Sequence, residues 1–172
     1  MLQENFGGCV IMSDEVAREL MQKGNISYQL IVEYFGRDIL MDDGEIDRKK
    51  LADHVFNNKE ALEKLNSMTH PYVKDAEAEA SGECRFVALE SAILLECGYE
   101  DICDEFWYVY TKPEIRRQRM KETRNYSDEK VDSVMRNQQP DEVFFKQCSF
   151  VIENNTTLSD VYDQLKEKLD QQ

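Results

Sequence analysis

Residues 10–20 read VIMSDEVAREL, and the change of character along this stretch decides the fold. Val10 and Ile11 form the apolar end of a short buried strand, and Met12 and Ser13 make the exit turn. Asp14 and Glu15 then open an amphipathic helix with Val16, Ala17 and Leu20 on one side. Ser13 is a helix-capping residue type, and acids in a first turn are favoured by the helix dipole. A strand that runs straight into a helix is one unit of an open α/β sheet, where ligands collect beyond the carboxyl ends of strands. Asp14 is therefore either a helix-capping acid or a carboxylate aimed into a crevice. Arg18, one turn further on, is placed to pair with it.

Upstream, Met1 to Asn5 read as a helical turn that Gly7-Gly8 ends. Downstream, Gly24-Asn25 breaks the helix that follows Asp14. Apolar spacing predicts helices over Ser27–Phe35, Arg48–Phe56, Lys59–Met68 and Tyr72–Ala80, with His70-Pro71 as the last boundary. An all-helical insertion thus separates the first strand from the next, Phe86 to Leu89, a continuous apolar run that ends near Glu90. Phe106–Tyr110 and Ser149–Glu153 read as further strands. Helices are expected over Pro113–Glu122, Ser127–Gln138, Asp141–Gln147 and Leu158–Leu169. Strands alternating with helices imply a mostly parallel sheet covered on both faces.

The chain has 172 residues, one ordinary domain with room for a small lobe, and its 41% hydrophobic content is enough for a core. A net charge of −14 disfavours non-specific binding to nucleic acid or anionic membranes. An anionic ligand therefore needs a local basic cluster. Arg116, Arg117, Arg119, Lys121 and Arg124 supply one within nine residues. Arginine's planar fork suits phosphate, but the same residues could be a solvated face paired to Glu114, Glu122 and Asp128. Arg48-Lys49-Lys50 reads as a solvated helix start. Five cysteines without a C-x-x-C pair, and only two histidines, give no zinc pattern; free thiols in a reducing cytoplasm are expected. No apolar run is long enough to span a membrane, and no signal peptide opens the chain. The 172 residues contain no G-x-x-x-x-G-K-[ST] run, the glycine-rich cradle that closes backbone N–H groups on a triphosphate.

Together these residues resemble the dephospho-coenzyme A kinase family. The family's strand and helix V-I-D-A-D-x-[IL]-A-R-x-[LV] corresponds to VIMSDEVAREL. Its insertion F-G-x-x-I-L-x-x-x-G-x-[IL]-x-R-x-x-L matches Phe35-Gly36, Ile39-Leu40, Gly44, Ile46, Arg48 and Leu51 in register. Val55-Phe56, Met68-Thr69-His70-Pro71, the stretch Ala92 to Glu96, Gln138 and Val151 to Asn154 match further family elements in order. Met12 stands where the family has its first aspartate, and Ala92 where it has proline. The chain opens where the family's first helix ends, so its first strand and phosphate loop have no counterpart here.

The resemblance implies a three-layer, parallel-sheet, P-loop-kinase-like α/β fold with a helical insertion and the first central strand missing. It implies an acceptor lobe over residues 14–81 and a lid over residues 113–140. By the family's motifs, Asp14 corresponds to the catalytic aspartate that orients or deprotonates the ribose 3′-hydroxyl of dephospho-coenzyme A. Arg48, His70 and Pro71 correspond to acceptor-lobe residues, Arg119, Arg124 and Asn154 to the nucleotide side, and Glu90 to an acid near Mg²⁺. The implied partners are ATP with Mg²⁺ and dephospho-coenzyme A, for a cytoplasmic monomer or weak oligomer. Without the phosphate cradle, the 172-residue chain is expected to turn over far below a full-length relative, which would work at the roughly 1–100 per second of ordinary kinases. The competing expectation is a non-catalytic protein that keeps the acceptor lobe. The missing central strand should also leave the strands at Phe86 and Phe106 without a shared neighbour. The gap would be closed by direct pairing or a borrowed strand, or would leave the chain marginally stable.

Overall fold

The computed structural model describes residues 1–55, 58–79, 84–96 and 98–171. Phe56, Ala80 and Cys97 lie outside the described residues. The chain divides into two compact units, Met1–Ile102 and Cys103–Gln172.

The first unit begins with α1 (Leu2–Phe6), which Gly7 ends in the left-handed region at φ 71°. Then come β1 (Cys9–Met12), α2 (Ser13–Leu20) and α3 (Ile26–Phe35). A tight helical turn at Arg37–Ile39 follows. Next are α4 (Arg48–Val55), α5 (Lys59–Ser67), α6 (His70–Glu79) and β2 (Val87–Glu90). The insertion is helical, as expected, and it folds around its own core. Ile31, Ile39, Ile46, Leu51 and Met68 are buried together, with Met21, Tyr28, Phe35 and Leu65 packed against them. Asp47 accepts from the N–H groups of Lys49 and Lys50 and so starts α4. Asn58 accepts from Ala61 and starts α5.

β1 and β2 pair in parallel, with Cys9 opposite Val87 and Met12 opposite Glu90. Both strands therefore exit on the same side. Their starts are also adjacent, and there the structure corrects an expectation. Cys9 and Cys84, read as free thiols, are joined by a disulfide across a Cα–Cα distance of 5.7 Å. The ladder brings together two cysteines that are remote in sequence. Cys103 and Cys148 are half-buried, and Cys148 is a free thiol.

The second unit holds β3 (Trp107–Tyr110), α7 (Pro113–Arg124), α8 (Asp128–Arg136), α9 (Asp141–Gln147), β4 (Phe150–Glu153) and α10 (Leu158–Asp170). β3 and β4 are parallel, with Trp107 opposite Phe150 and Tyr110 opposite Glu153. Ser127 caps α8, and a reciprocal Thr157–Asp160 capping box starts α10. Leu165 and Leu169 are buried on the inner face of α10. Glu105 accepts from Trp107 Nε1 at 2.9 Å and is ion-paired with Lys168 at 3.0 Å. These contacts, the Trp107 bond first, hold its carboxyl below the usual glutamate range.

The fold class is α/β with parallel strands, as expected. Among the described residues the strands form two separate two-stranded sheets, β1–β2 and β3–β4. Among the described residues no ladder pairs the strand after Phe86 with the strand after Phe106.

Gly8 precedes β1 at a close approach: a Cβ built there would fall 2.3 Å from the Phe86 ring. Gly8→Ala is expected to cost about 1–3 kcal/mol of stability through overpacking. Adding Phe86→Leu should recover part of that loss. Urea unfolding of the two variants against the parent checks it.

Candidate functional site

The exit of β1 delivers the chain into α2 with Asp14 in the first turn. Ser13 is not the cap that the sequence suggested. Met12 occupies the cap position, and Ser13 is the first helical residue. Its hydroxyl instead donates sideways to Glu77 Oε1 on α6, at 2.5 Å. Asp14 does not cap the helix either. Among the described residues its carboxylate accepts no hydrogen bond and forms no ion pair, and the expected pairing with Arg18 is absent. The side chain is exposed, on the rim of a cavity of about 170 Å³. Ser13, Asn66, Thr69, His70, Ser91 and Tyr99 give this cavity polar groups, and Ala17, Met21, Leu65, Val73 and Ile93 give it an apolar wall.

Of the residues expected on the acceptor side, the structure brings His70 to the same cavity as Asp14. His70 is half-buried at the start of α6. Pro71 follows it in the first turn but is exposed and does not line the cavity. Arg48 is exposed at the start of α4, also away from the cavity wall. Glu90 ends β2 in register with Met12, so its backbone stands beside the β1 exit.

The second unit carries the basic cluster on α7, and the structure divides that cluster. Arg116 Nη2 donates to both oxygens of Asp141, each at 3.0 Å, and Nη1 donates to Gln138. Tyr108 donates to the same Asp141 at 2.7 Å and stacks on Phe144. Arg117 pairs with Asp132 at 2.5 Å, and Lys121 pairs with Asp128. These three cations belong to the fold, but of the acids that the solvated-face reading named, Asp128 alone pairs with them among the described residues. Arg119 and Arg124 form no ion pair among the described residues, which leaves two guanidinium groups for an anion. Asn154 closes β4: its N–H donates to Tyr110 O at 2.7 Å, and its carbonyl accepts from Thr111. Asn155 beside it accepts from the Lys112 N–H at the start of α7.

Sequence reasoning missed Glu77 and Tyr99. Glu77 is 3% exposed and accepts from Ser13 and, at 2.6 Å, from Tyr99 Oη. One signal was present. Glu77 lies four residues after the buried Val73, on the inner face of α6. Lys74 anchors the chain beyond the site by pairing with Asp101 at 2.5 Å and lying 5.6 Å from the Tyr99 ring centroid.

Parallel strands that exit directly into helices give the chain the α/β architecture of the P-loop-kinase-like class. The family model for dephospho-CoA kinase matches residues 1–160. The dephospho-CoA kinase of Bacillus licheniformis is 36% identical over 171 residues, covering 95% of this chain and 84% of its own. That of Carboxydothermus hydrogenoformans is 34% identical over 171 residues, covering 96% and 82%. Among solved structures, TT1252 from Thermus thermophilus matches with a TM-score of 0.81 and 28% identity, over 99% of this chain and 87% of that one. The dephospho-CoA kinase of Campylobacter jejuni shares the fold at a TM-score of 0.68 and 24% identity, over 99% and 87% of the two chains. The chain belongs to the dephospho-CoA kinase family.

The knot at the root of α7 has a pH signature. Burial and the Asp141 carboxylate push the Tyr108 phenol well above its ordinary value of 10.0. A group raised in the folded state contributes stability below its unfolded pKa and loses it as pH climbs past that value. Tyr108→Phe is expected to cost about 1 kcal/mol at neutral pH. It should also flatten the fall in stability above about pH 10. Urea midpoints measured across that range for both proteins check it; parallel curves would contradict it.

Proposed function

We propose that this chain transfers the γ-phosphate of ATP to the ribose 3′-hydroxyl of dephospho-CoA, with Asp14 as the carboxylate that orients or deprotonates that hydroxyl. Family membership supports the reaction. The observation that carries the residue is the unspent Asp14 carboxylate at the exit of β1, on the rim of a cavity with polar and apolar walls. Phosphoryl transfer asks little more of a protein than positioning and charge stabilisation, and a carboxylate beside the attacking hydroxyl is the recurring device.

His70 contributes a ring to the wall of the acceptor cavity, and Arg48 and Pro71 belong to the same lobe, residues 14–81. Arg119 and Arg124 on the lid segment, residues 113–140, are the guanidinium groups for the nucleotide phosphates, since their neighbours Arg116 and Arg117 are consumed by Asp141 and Asp132. Asn154 serves the nucleotide from the end of β4. Mg²⁺ is usually held by one or two carboxylates together with substrate phosphates rather than by a protein cage. The donor set fits that pattern: Glu90 ends a strand beside the β1 exit, and no group of three metal-ligating side chains exists among the described residues. Glu90 would hold the ion, which when bound neutralises phosphate charge. The reading places the protein in the cytoplasm, as a monomer or weak oligomer.

Incubating the purified chain with dephospho-CoA, Mg²⁺ and ATP labelled in its γ-phosphate tests the reaction, and labelled CoA is the expected product. Asp14→Asn should lower kcat by about 10²–10⁴-fold, the range for a general base. Its Kd for dephospho-CoA should stay within about threefold, because a uniform binding loss is not what a reacting carboxylate supplies. Arg119→Ala should raise the KM for ATP while leaving the melting temperature unchanged. An unimpaired Asp14→Asn protein would return Asp14 to a surface acid.

A further inference from the structure

The buried carboxylate under the acceptor cavity has no cation to answer it. Glu77 is 3% exposed, and no ion pair reaches it among the described residues. Lys74, one turn earlier on α6, is engaged with Asp101 and the Gly98 carbonyl instead. The two Glu77 oxygens are met by two hydroxyls, Ser13 Oγ at 2.5 Å and Tyr99 Oη at 2.6 Å, both short as expected for O–H donors to a carboxylate. Both donors are themselves buried, Ser13 at 7% and Tyr99 at 4% exposure, and both line the cavity. Ser13 is the residue next to Asp14, in the same first turn of α2.

A buried carboxylate held by two neutral hydroxyls is costly to keep as a packing element, because desolvation of the charge outweighs what apolar burial at that position would give. What the arrangement does provide is a fixed direction. The Ser13–Glu77 bond joins the first turn of α2 to the inner face of α6. With one residue of that turn locked at its side chain, the next has its Cα–Cβ direction set. We infer that Glu77 is a positioning residue: through Ser13 it aims the Asp14 carboxylate at the acceptor hydroxyl, and through Tyr99 it fixes the opposite wall of the cavity. The inference rests on the reading of Asp14 as the reacting carboxylate and adds the device that orients it.

The test compares Ser13→Ala, Glu77→Leu, Glu77→Gln and the double variant Ser13→Ala/Glu77→Leu in the full chain. Glu77→Leu removes both acceptors at similar volume. Glu77→Gln keeps one carbonyl acceptor for Ser13 and offers its amide N–H to Tyr99. Ser13→Ala and Glu77→Leu are each expected to lower kcat about tenfold, with the KM for dephospho-CoA changing less than threefold. Glu77→Gln should retain at least half of the parent kcat, and the double variant should be no slower than either single one. Melting temperature serves as the control for a purely structural role. Ser13→Ala, which leaves Glu77 half-satisfied, should melt lower than the double variant. A second readout needs no turnover: in protein carrying ¹³C in its aspartate carboxyl groups, the Asp14 resonance should move in Ser13→Ala and return in Glu77→Gln. If the parent forms no CoA, the reaction assigned above fails, and the resonance still decides the positioning role. Melting changes with kcat and the Asp14 resonance both unmoved would overturn the inference. So would kcat losses that add in the double variant.

Discussion

Glu77 has no charged partner among the described residues, so its oxygens depend on the hydroxyls of Ser13 and Tyr99. Much of the first unit's chemistry follows from that dependence. A buried acceptor left without its donor costs on the order of 1–3 kcal/mol, so the two hydroxyls are not free to turn elsewhere. Ser13 is the first helical residue rather than the cap, and α2 starts without a side-chain cap. Asp14 is then left with nothing to do inside the fold, which is the condition for a carboxylate to act on something outside it.

The parallel ladders put functional groups at strand exits in both units. Register sets Met12 beside Glu90 in one and Tyr110 beside Glu153 in the other. In each unit the exit leads at once to polar residues: Asp14 and Ser91 after the first pair, Asn154 after the second. The second unit adds a knot in which Asp141 takes Tyr108 and Arg116 together and ties α7 to α9. Further along the same helix, Arg119 and Arg124 form no ion pair among the described residues.

Nearly every element was legible in the sequence because its signals are local. Glycine after α1, apolar spacing in α3 to α5, Ser127 at α8 and the apolar run before Glu90 each act within a few residues. What was not legible is non-local. A serine before a helix can cap it or reach another helix, and only the position of α6 decides which. The disulfide joins cysteines 75 residues apart, a pairing that no spacing rule specifies. The basic cluster could not be divided from sequence, since Arg116 finds its acid on α9 while Arg119, three residues on, finds none among the described residues. Glu77 hid for the opposite reason: a glutamate in a charged helix reads as solvated unless its inward face is known.

The ladder between β1 and β2 has a consequence for how the molecule assembles. Its two strands are separated by the whole helical insertion, so closing it early would confine a long floppy loop. The insertion, by contrast, builds its core from near neighbours, Ile31 to Met68, and contacts of that kind form fastest. The core of α3 to α5 therefore closes shorter loops than the strand ladder does. The crevice at the strand exits depends on this ladder, whose other end the Cys9–Cys84 disulfide holds closed.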